Sequence, residues 1–349
     1  MERVMNAIGA RCYLPVTDPE CLVWFDAPQP IVGPRDLLVK VEAVAVNPVD
    51  TKIRKSLGAD PLPQPRILGW DAAGTVLEVG AEVTNFKPGD EVFYAGEVMR
   101  PGCNAPLQAV DERLVARKPA TLGFAEAASW PLVAITAWEL LFERMRVDVD
   151  GSDAGKALLI LNGAGGVGSV LIQLAKRAGL RVIATASRPE SIAWCREMGA
   201  DEVINHHQPL APQLAAFGLT ELPLIINLHL PDLYWKQTGE LIAPFGTLGL
   251  IVEPSAPVNA GDPMKMKCAT VVWEWMFARA RFKTADMHRQ GEILADIAKL
   301  IDASQLKPIL GNTLHPISPE TLREAHAAME SGTALGKWTL EGWGEIGKW

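Results

Sequence analysis

The chain has 349 residues, of which 33 are Lys or Arg and 41 Asp or Glu, for a formal charge of −8. Apolar residues make up 48% and charged ones 21%, which excludes a mainly disordered chain, and the length implies about two domains. The acidic balance argues against a protein built to bind nucleic acid or an anionic membrane.

Five cysteines, Cys12, Cys21, Cys103, Cys195 and Cys268, are odd in number and widely spaced, with no C-x-x-C pair, so neither a disulfide framework nor a zinc knuckle is indicated. The opening Met1-Glu2-Arg3-Val4 lacks the apolar run of a signal peptide. Residues 157–175 carry no charge, but Asn162 and four glycines interrupt them, so they read as a buried strand, a turn and a helix rather than a membrane span. The expectation is a cytoplasmic protein with no membrane partner.

The first 130 residues read as β-rich. Residues 37–46 (LLVKVEAVAV) are valine-rich and bounded by Gly33-Pro34 and Asn47-Pro48; residues 74–79 and 91–94 are further short strands, the second after the turn signal Pro88-Gly89-Asp90. Short strands with so much turn chemistry point to a compact barrel or sandwich. From about Gly155 the period changes. Strand-like runs at 157–161, 180–185, 202–205, 222–228 and 246–252 alternate with helical patterns ending near Ala178, Met198 and Ala243, the mark of βαβ units on a parallel sheet. Beyond Thr284 an amphipathic helix carries Ile293, Ile297 and Leu300 on one face, and a strand-like piece at 337–340 is expected to return to the first domain.

Gly163, Ala164, Gly165, Gly166, Val167 and Gly168 match G-x-G-x-x-G directly after a buried strand and at the start of a helix. In that context the first glycine permits a tight turn, the second lets backbone approach a pyrophosphate, and the third lets helix pack on strand. The end of the next strand selects the cofactor. No acid stands there to accept from ribose hydroxyls; Ser187 and Arg188 stand there instead, suited to a 2′-phosphate, and the expected cofactor is NADPH.

Several ordered stretches resemble the medium-chain dehydrogenase/reductase superfamily, most of all its zinc-independent, quinone-oxidoreductase-like branch with the zinc-type alcohol dehydrogenase-like proteins. They are 36–40 (DLLVK), 47–52 (NPVDTK), 68–74 (LGWDAAG), 88–92 (PGDEV), 136–139 (TAWE), the glycine turn, and Gly336-Lys337. The resemblance implies an α/β chain with a GroES-like β-barrel catalytic domain at 1–130, completed by 285–349. It implies a Rossmann doubly wound parallel-sheet domain at 131–284, a cleft where the two meet, and a homodimer through Rossmann edges.

In zinc-bearing relatives a Cys stands near the position of Asn47, and Gly-His-Glu occupies the place of Gly69-Trp70-Asp71. An amide and an indole do not replace a thiolate and an imidazole, and only Cys103 lies where a structural zinc would need four cysteines, so no metal is expected. Without zinc to lower an alcohol's pKa, reducing a quinone or an α,β-unsaturated carbonyl is the easier chemistry, and the protein must supply hydrogen-bond donors where negative charge collects.

Candidate catalytic groups at family positions are Asn47, an amide donor or a turn-former before Pro48, Tyr94, a phenol donor or a strand tyrosine, and Thr136, a nicotinamide-side hydroxyl or a helix-start residue. Trp70 is a candidate wall of the substrate pocket. His206 is expected near the adenine ribose, and Lys337 either approaches the cofactor phosphates or is solvated. The pair His206-His207 is expected to point apart, and Trp273, Trp275, Met276 and Phe277 to form an apolar cluster by simple packing, with the cleft or the dimer edge as the alternatives. Alternatives are a zinc-dependent alcohol dehydrogenase and an NADPH-binding regulatory or structural protein, such as an RNA-binding one, without turnover.

Overall fold

The computed structural model describes residues 3–344. Met1 and Glu2, where the signal-peptide reading begins, lie outside them, as do residues 345–349 of the tail. The chain forms two compact units, unit 1 from Met1–Leu132 and Phe277–Trp349, and unit 2 from Val133–Met276.

Unit 1 opens with β1 (Val4–Ala10), β2 (Val23–Pro28), β3 (Asp36–Val46), α1 (Pro48–Lys55), β4 (Arg66–Ile67), β5 (Ala72–Val79), β6 (Glu91–Tyr94), β7 (Leu107–Asp111), β8 (Val115–Arg117) and α2 (Phe124–Ala128). The chain leaves it within α3 (Pro131–Trp138). Unit 2 then runs β9 (Ala157–Leu161), α4 (Gly166–Arg177), β10 (Arg181–Thr185), α5 (Pro189–Glu197), β11 (Glu202–Ile204), α6 (Leu210–Ala215), β12 (Leu222–Asn227), α7 (Pro231–Leu241), β13 (Ile242–Leu250) and β14 (Thr270–Trp273). Unit 1 resumes with α8 (Ala278–Phe282), α9 (Arg289–Asp302), β15 (Leu310–Leu314), α10 (Pro319–Ser331) and β16 (Lys337–Glu341).

In unit 1 the sheet order is β15-β16-β3-β5-β6-β8, with β7 also on β3, and a smaller sheet is ordered β2-β1-β4. The long valine-rich β3 is its spine, since β-branched residues fit a pleated surface; Leu37, Val39 and Val41 bury one face of its first half, and both faces are buried from Ala43 to Val46. Where β3 and β5 slip register near Val41, a Cβ on Gly74 would fall 2.0 Å from the Lys40 carbonyl, so only glycine lets the strands close there. The C-terminal β16 pairs antiparallel with β3, Trp338 opposite Val46, which completes the first domain with the tail. The expected boundary at 284 moves to 276/277. Phe277 stacks edge-on to Trp70 with centroids 6.3 Å apart, and Arg279 pairs with Asp286 at 3.0 Å, so α8 belongs to unit 1.

Unit 2 is a parallel sheet ordered β11-β10-β9-β12-β13-β14. Its second half begins at β12, on the far side of β9 from β10, so the strand order reverses at β9, where open α/β sheets place their ligands. The central β9 is an unbroken apolar run, buried along its length, as a strand covered by helices on both faces requires. The uncharged stretch that resembled a membrane span is therefore β9, a turn and α4 up to its closing Lys176-Arg177, and among the described residues no helix is long and apolar enough to cross a membrane.

Candidate active site

In unit 2 the glycine turn joins β9 to α4. Its left-handed residue is Asn162, with φ +70°, rather than a glycine. Gly163 is needed for packing instead, because a Cβ there would lie 2.8 Å from Ala184 Cβ and 3.1 Å from Cys195 Sγ. Gly168 sits against the turn, where a Cβ would meet the Gly163 carbonyl at 2.4 Å. Gly165 differs from both. A Cβ on it would meet only Asn162 Nδ2, at 3.7 Å, so the turn is open there, directly before the unpaired N–H groups of α4. This is the cradle a diphosphate needs, with Gly165, Gly166 and Val167 around it and Ala164 buried beneath. Thr185 fixes the turn from β10, its hydroxyl accepting from Asn162 N–H at 2.9 Å and its carbonyl from Gly163 N–H at 3.1 Å.

Ser187 and Arg188 follow β10 and lead into α5. The guanidinium of Arg188 lies 3.3 Å from Glu190 in an exposed pair, an interaction weak enough to exchange for a phosphate. His206 is half-buried just past β11, and burial, then the His207 charge, holds its pKa below the usual histidine value. The two rings do not point apart. They meet edge to face with centroids 4.4 Å apart, because both lie in the turn beyond β11 and strand alternation does not apply. The apolar run near 273 also divides: Met276 and Phe277 are buried, while Trp273 is 48% exposed and Trp275 similarly so.

In unit 1 the family positions form a buried polar cluster. Lys337, at the start of β16, is 3% exposed, so neither solvent nor a phosphate receives its ammonium. Its Nζ donates to Asp71 Oδ2 at 2.8 Å, to Asn47 Oδ1 at 2.5 Å and to the Val46 carbonyl at 3.3 Å. Three donors find three acceptors, and the expectation of a lysine reaching the cofactor phosphates is overturned by that geometry. Asp71 is fully buried. Its Oδ2 also accepts from Asn47 Nδ2 at 2.8 Å, and its Oδ1 from the Leu132 N–H at 2.7 Å, in the first turn of α3. Burial raises its pKa while the Lys337 charge and the hydrogen bonds pull it down.

Asn47 precedes Pro48 at the start of α1, where its N–H donates to Asp50 Oδ2 at 2.5 Å. It is thus the turn-former and also a member of the cluster, 1% exposed, with one Nδ2 hydrogen left uncommitted. Asp50 is pushed up to about 7, first by burial. Cys103 donates its thiol to the Asp71 carbonyl at 3.2 Å, and burial raises its pKa. Trp70 is buried too, its indole N–H donating to the Glu97 carbonyl at 3.2 Å. The Tyr94 hydroxyl is buried without a partner among the described residues, and burial holds the phenol protonated far above its ordinary range. Thr136 is buried in α3.

These residues do not fit a zinc ion. An indole nitrogen has no lone pair to give, the amide oxygen of Asn47 already faces a cation, and Asp71 is neutralised by Lys337. Among the described residues no three His, Cys, Asp or Glu side chains are grouped to hold a metal. The glycine turn does fit a dinucleotide. No local sequence pattern shows the Lys337–Asp71 bond; the signal for it is a lysine in a strand that returns to the domain holding the acid Asp71.

A family model for the alcohol dehydrogenase GroES-like domain matches residues 33–135, and one for zinc-binding dehydrogenase matches residues 166–288. The chain is 43% identical over 305 residues to a zinc-type alcohol dehydrogenase-like protein of Staphylococcus aureus strain COL, covering 86% of this chain and 89% of the relative. A crystal structure from Rhizobium etli CFN 42, provisionally named a zinc-dependent alcohol dehydrogenase, superposes with a TM-score of 0.93 at 45% identity over 99% of this chain and all of that one. The quinone oxidoreductase of Coxiella burnetii superposes with a TM-score of 0.77 at 26% identity, covering 97% and 99% of the two chains.

Proposed function

Since the chain belongs to the medium-chain dehydrogenase/reductase superfamily of oxidoreductases, we propose that it is an NADPH-dependent, zinc-independent reductase of quinones or α,β-unsaturated carbonyls. The observation that carries this reading is the ammonium of Lys337 on Asp71 and Asn47. Where zinc-bearing relatives place ligands, this chain has an amide, an indole and an acid already paired with a lysine, so activating an alcohol through a dication is not what these groups do.

Bound at the glycine turn, a reduced nicotinamide dinucleotide supplies hydride. The chain's part is to hold the dinucleotide and to stabilise charge on the acceptor's oxygen. For the first, Gly165 and the N-terminus of α4 take the diphosphate, Ser187 and Arg188 the 2′-phosphate, and His206 lies on the adenosine side. For the second, Tyr94 is the donor assigned: its hydroxyl is protonated at every working pH and has no competing partner among the described residues. Within unit 1 the remaining Asn47 Nδ2 hydrogen is a second donor. Five unpaired cysteines suit a reducing compartment such as the cytoplasm.

A homodimer is part of the proposal. Strand β14 is an edge of the unit 2 sheet, and Phe245, Met266, Trp273 and Trp275 are exposed in the same unit, the apolar display that an interface between copies would bury.

The test is oxidation of NADPH and of NADH across a panel of quinones and enones, with and without a chelator. Turnover that favours NADPH and survives chelation supports the reading. About one zinc per chain with activity lost on chelation would overturn it, and so would tight NADPH binding without turnover on any acceptor.

A further inference from the structure

Two residues outside the glycine motif hold its turn in place. Trp194, midway along α5, donates its indole N–H to Ser169 Oγ at 2.8 Å, and Ser169 Oγ donates to the Gly165 carbonyl at 2.8 Å. A hydroxyl has one hydrogen, so accepting from the indole leaves Ser169 free to give that hydrogen to Gly165. The same carbonyl accepts the Ser169 backbone N–H at 2.9 Å. A carbonyl bonded twice from within the helix is fixed in direction, and peptide planarity then fixes the Gly166 N–H on the opposite side. That N–H is among the unpaired donors a phosphate takes at a helix N-terminus. The neighbouring Cys195, buried with its thiol pushed up to about 12 by desolvation, lies against Gly163, so α5 also supports the turn from below.

We infer that Trp194 and Ser169 are positioning residues for the cofactor diphosphate, a relay that ties the helix beginning after Ser187 and Arg188 to the turn after β9. The inference rests on the dinucleotide reading above, and goes beyond it by assigning diphosphate affinity to a tryptophan that the motif does not contain.

The test is calorimetric titration of NADPH and NADH into the cofactor-free protein. Trp194→Phe and Ser169→Ala should each weaken both dinucleotides by about three- to tenfold, the value of one modest hydrogen bond, and leave the ratio of the two affinities unchanged. Ser169→Thr keeps a hydroxyl and should bind as wild type does. Ile225→Val trims a buried core residue of the same sheet, serves as the control for general loosening, and should leave affinity unchanged. If wild type binds while Trp194→Phe and Ser169→Ala bind equally well, or weaken no more than Ile225→Val, the relay is refuted. If wild type binds neither dinucleotide, the cofactor reading itself fails, and the relay with it.

Discussion

Lys337→Met keeps the length of the side chain and removes its charge. Asp71 is then left fully buried, with only the Leu132 N–H and one Asn47 amide hydrogen to hold it. Breaking a buried ion pair from one side costs about 3–5 kcal/mol, because the remaining charge has neither water nor partner. Asp71→Asn makes the same error in reverse, leaving an ammonium facing the Asn47 and Val46 oxygens. The double variant removes both charges, so its loss should fall short of the summed single losses by about 2–4 kcal/mol. Urea unfolding of the four proteins at pH 7.5 measures this directly. The pH dependence supplies a second readout. Burial raises the Asp71 carboxyl, and removing the ammonium raises it further. A carboxyl whose folded pKa lies above its unfolded value stabilises the fold at low pH, and that contribution is lost as pH rises through the folded pKa. The deficit of Lys337→Met relative to wild type should therefore be largest at alkaline pH and shrink towards pH 5. Asp50, itself raised to about 7 and facing the same lysine, adds a slope of the same sign. Additive single losses, or a deficit flat between pH 5 and 8, would refute the account of Lys337 as the neutraliser of Asp71.

Arg188→Ala should raise the dissociation constant for NADPH about tenfold and leave that for NADH unchanged, since the arginine exchanges an exposed partner, Glu190, for the 2′-phosphate; fluorescence titration of both coenzymes measures it. Tyr94→Phe should lower kcat about 100-fold without lowering stability, because the hydroxyl it removes has no partner among the described residues; steady-state kinetics and a melting curve read the two effects separately. His326 is buried with neither ring nitrogen partnered among the described residues, and burial, then the Arg54 charge, holds it down to about 3. Its folded pKa lies below the unfolded 6.5, so stability is lost as pH falls below 6.5, by about 3 kcal/mol at pH 4.5, and His326→Leu should abolish that part of the acid slope in urea unfolding. Charge at Phe245 and Trp273, introduced together as Phe245→Glu and Trp273→Glu, should convert a dimer to a monomer in sedimentation without altering the NADPH affinity of unit 2.

How far the sequence speaks depends on how far apart the interacting residues lie along it. The glycine turn is legible because strand, turn, glycines and helix start fall within a dozen positions, and the same spacing serves both fold and cofactor. Strands β3 and β6 are legible for the same reason, as valine-rich or aromatic runs bounded by turn residues. Even so, Asn162 rather than Gly163 takes the left-handed conformation, since which residue of a turn bears the strain is set by what packs on it, here Ala184 and Cys195. Lys337 and Asp71 are 266 positions apart, and no local pattern joins them. A lysine at the head of a strand reads as solvated, and an acid beside a turn as solvated or hydrogen-bonded. Neither reading names the other residue, because β16 pairs with β3 and sets Lys337 beside Asn47, and no local pattern carries that pairing. What the sequence does contain is a constraint: Asp71 stands in a family motif of otherwise small and apolar residues, LGWDAAG, with no histidine or cysteine ligand next to it. A buried acid without a metal needs a cation from elsewhere in the chain, and the family's Gly-Lys at 336–337 is the one motif among those matched that ends in a cation at the start of a strand and has no carboxylate of its own. The burial cost of a lone carboxylate, rather than any spacing rule, is what makes that pairing necessary.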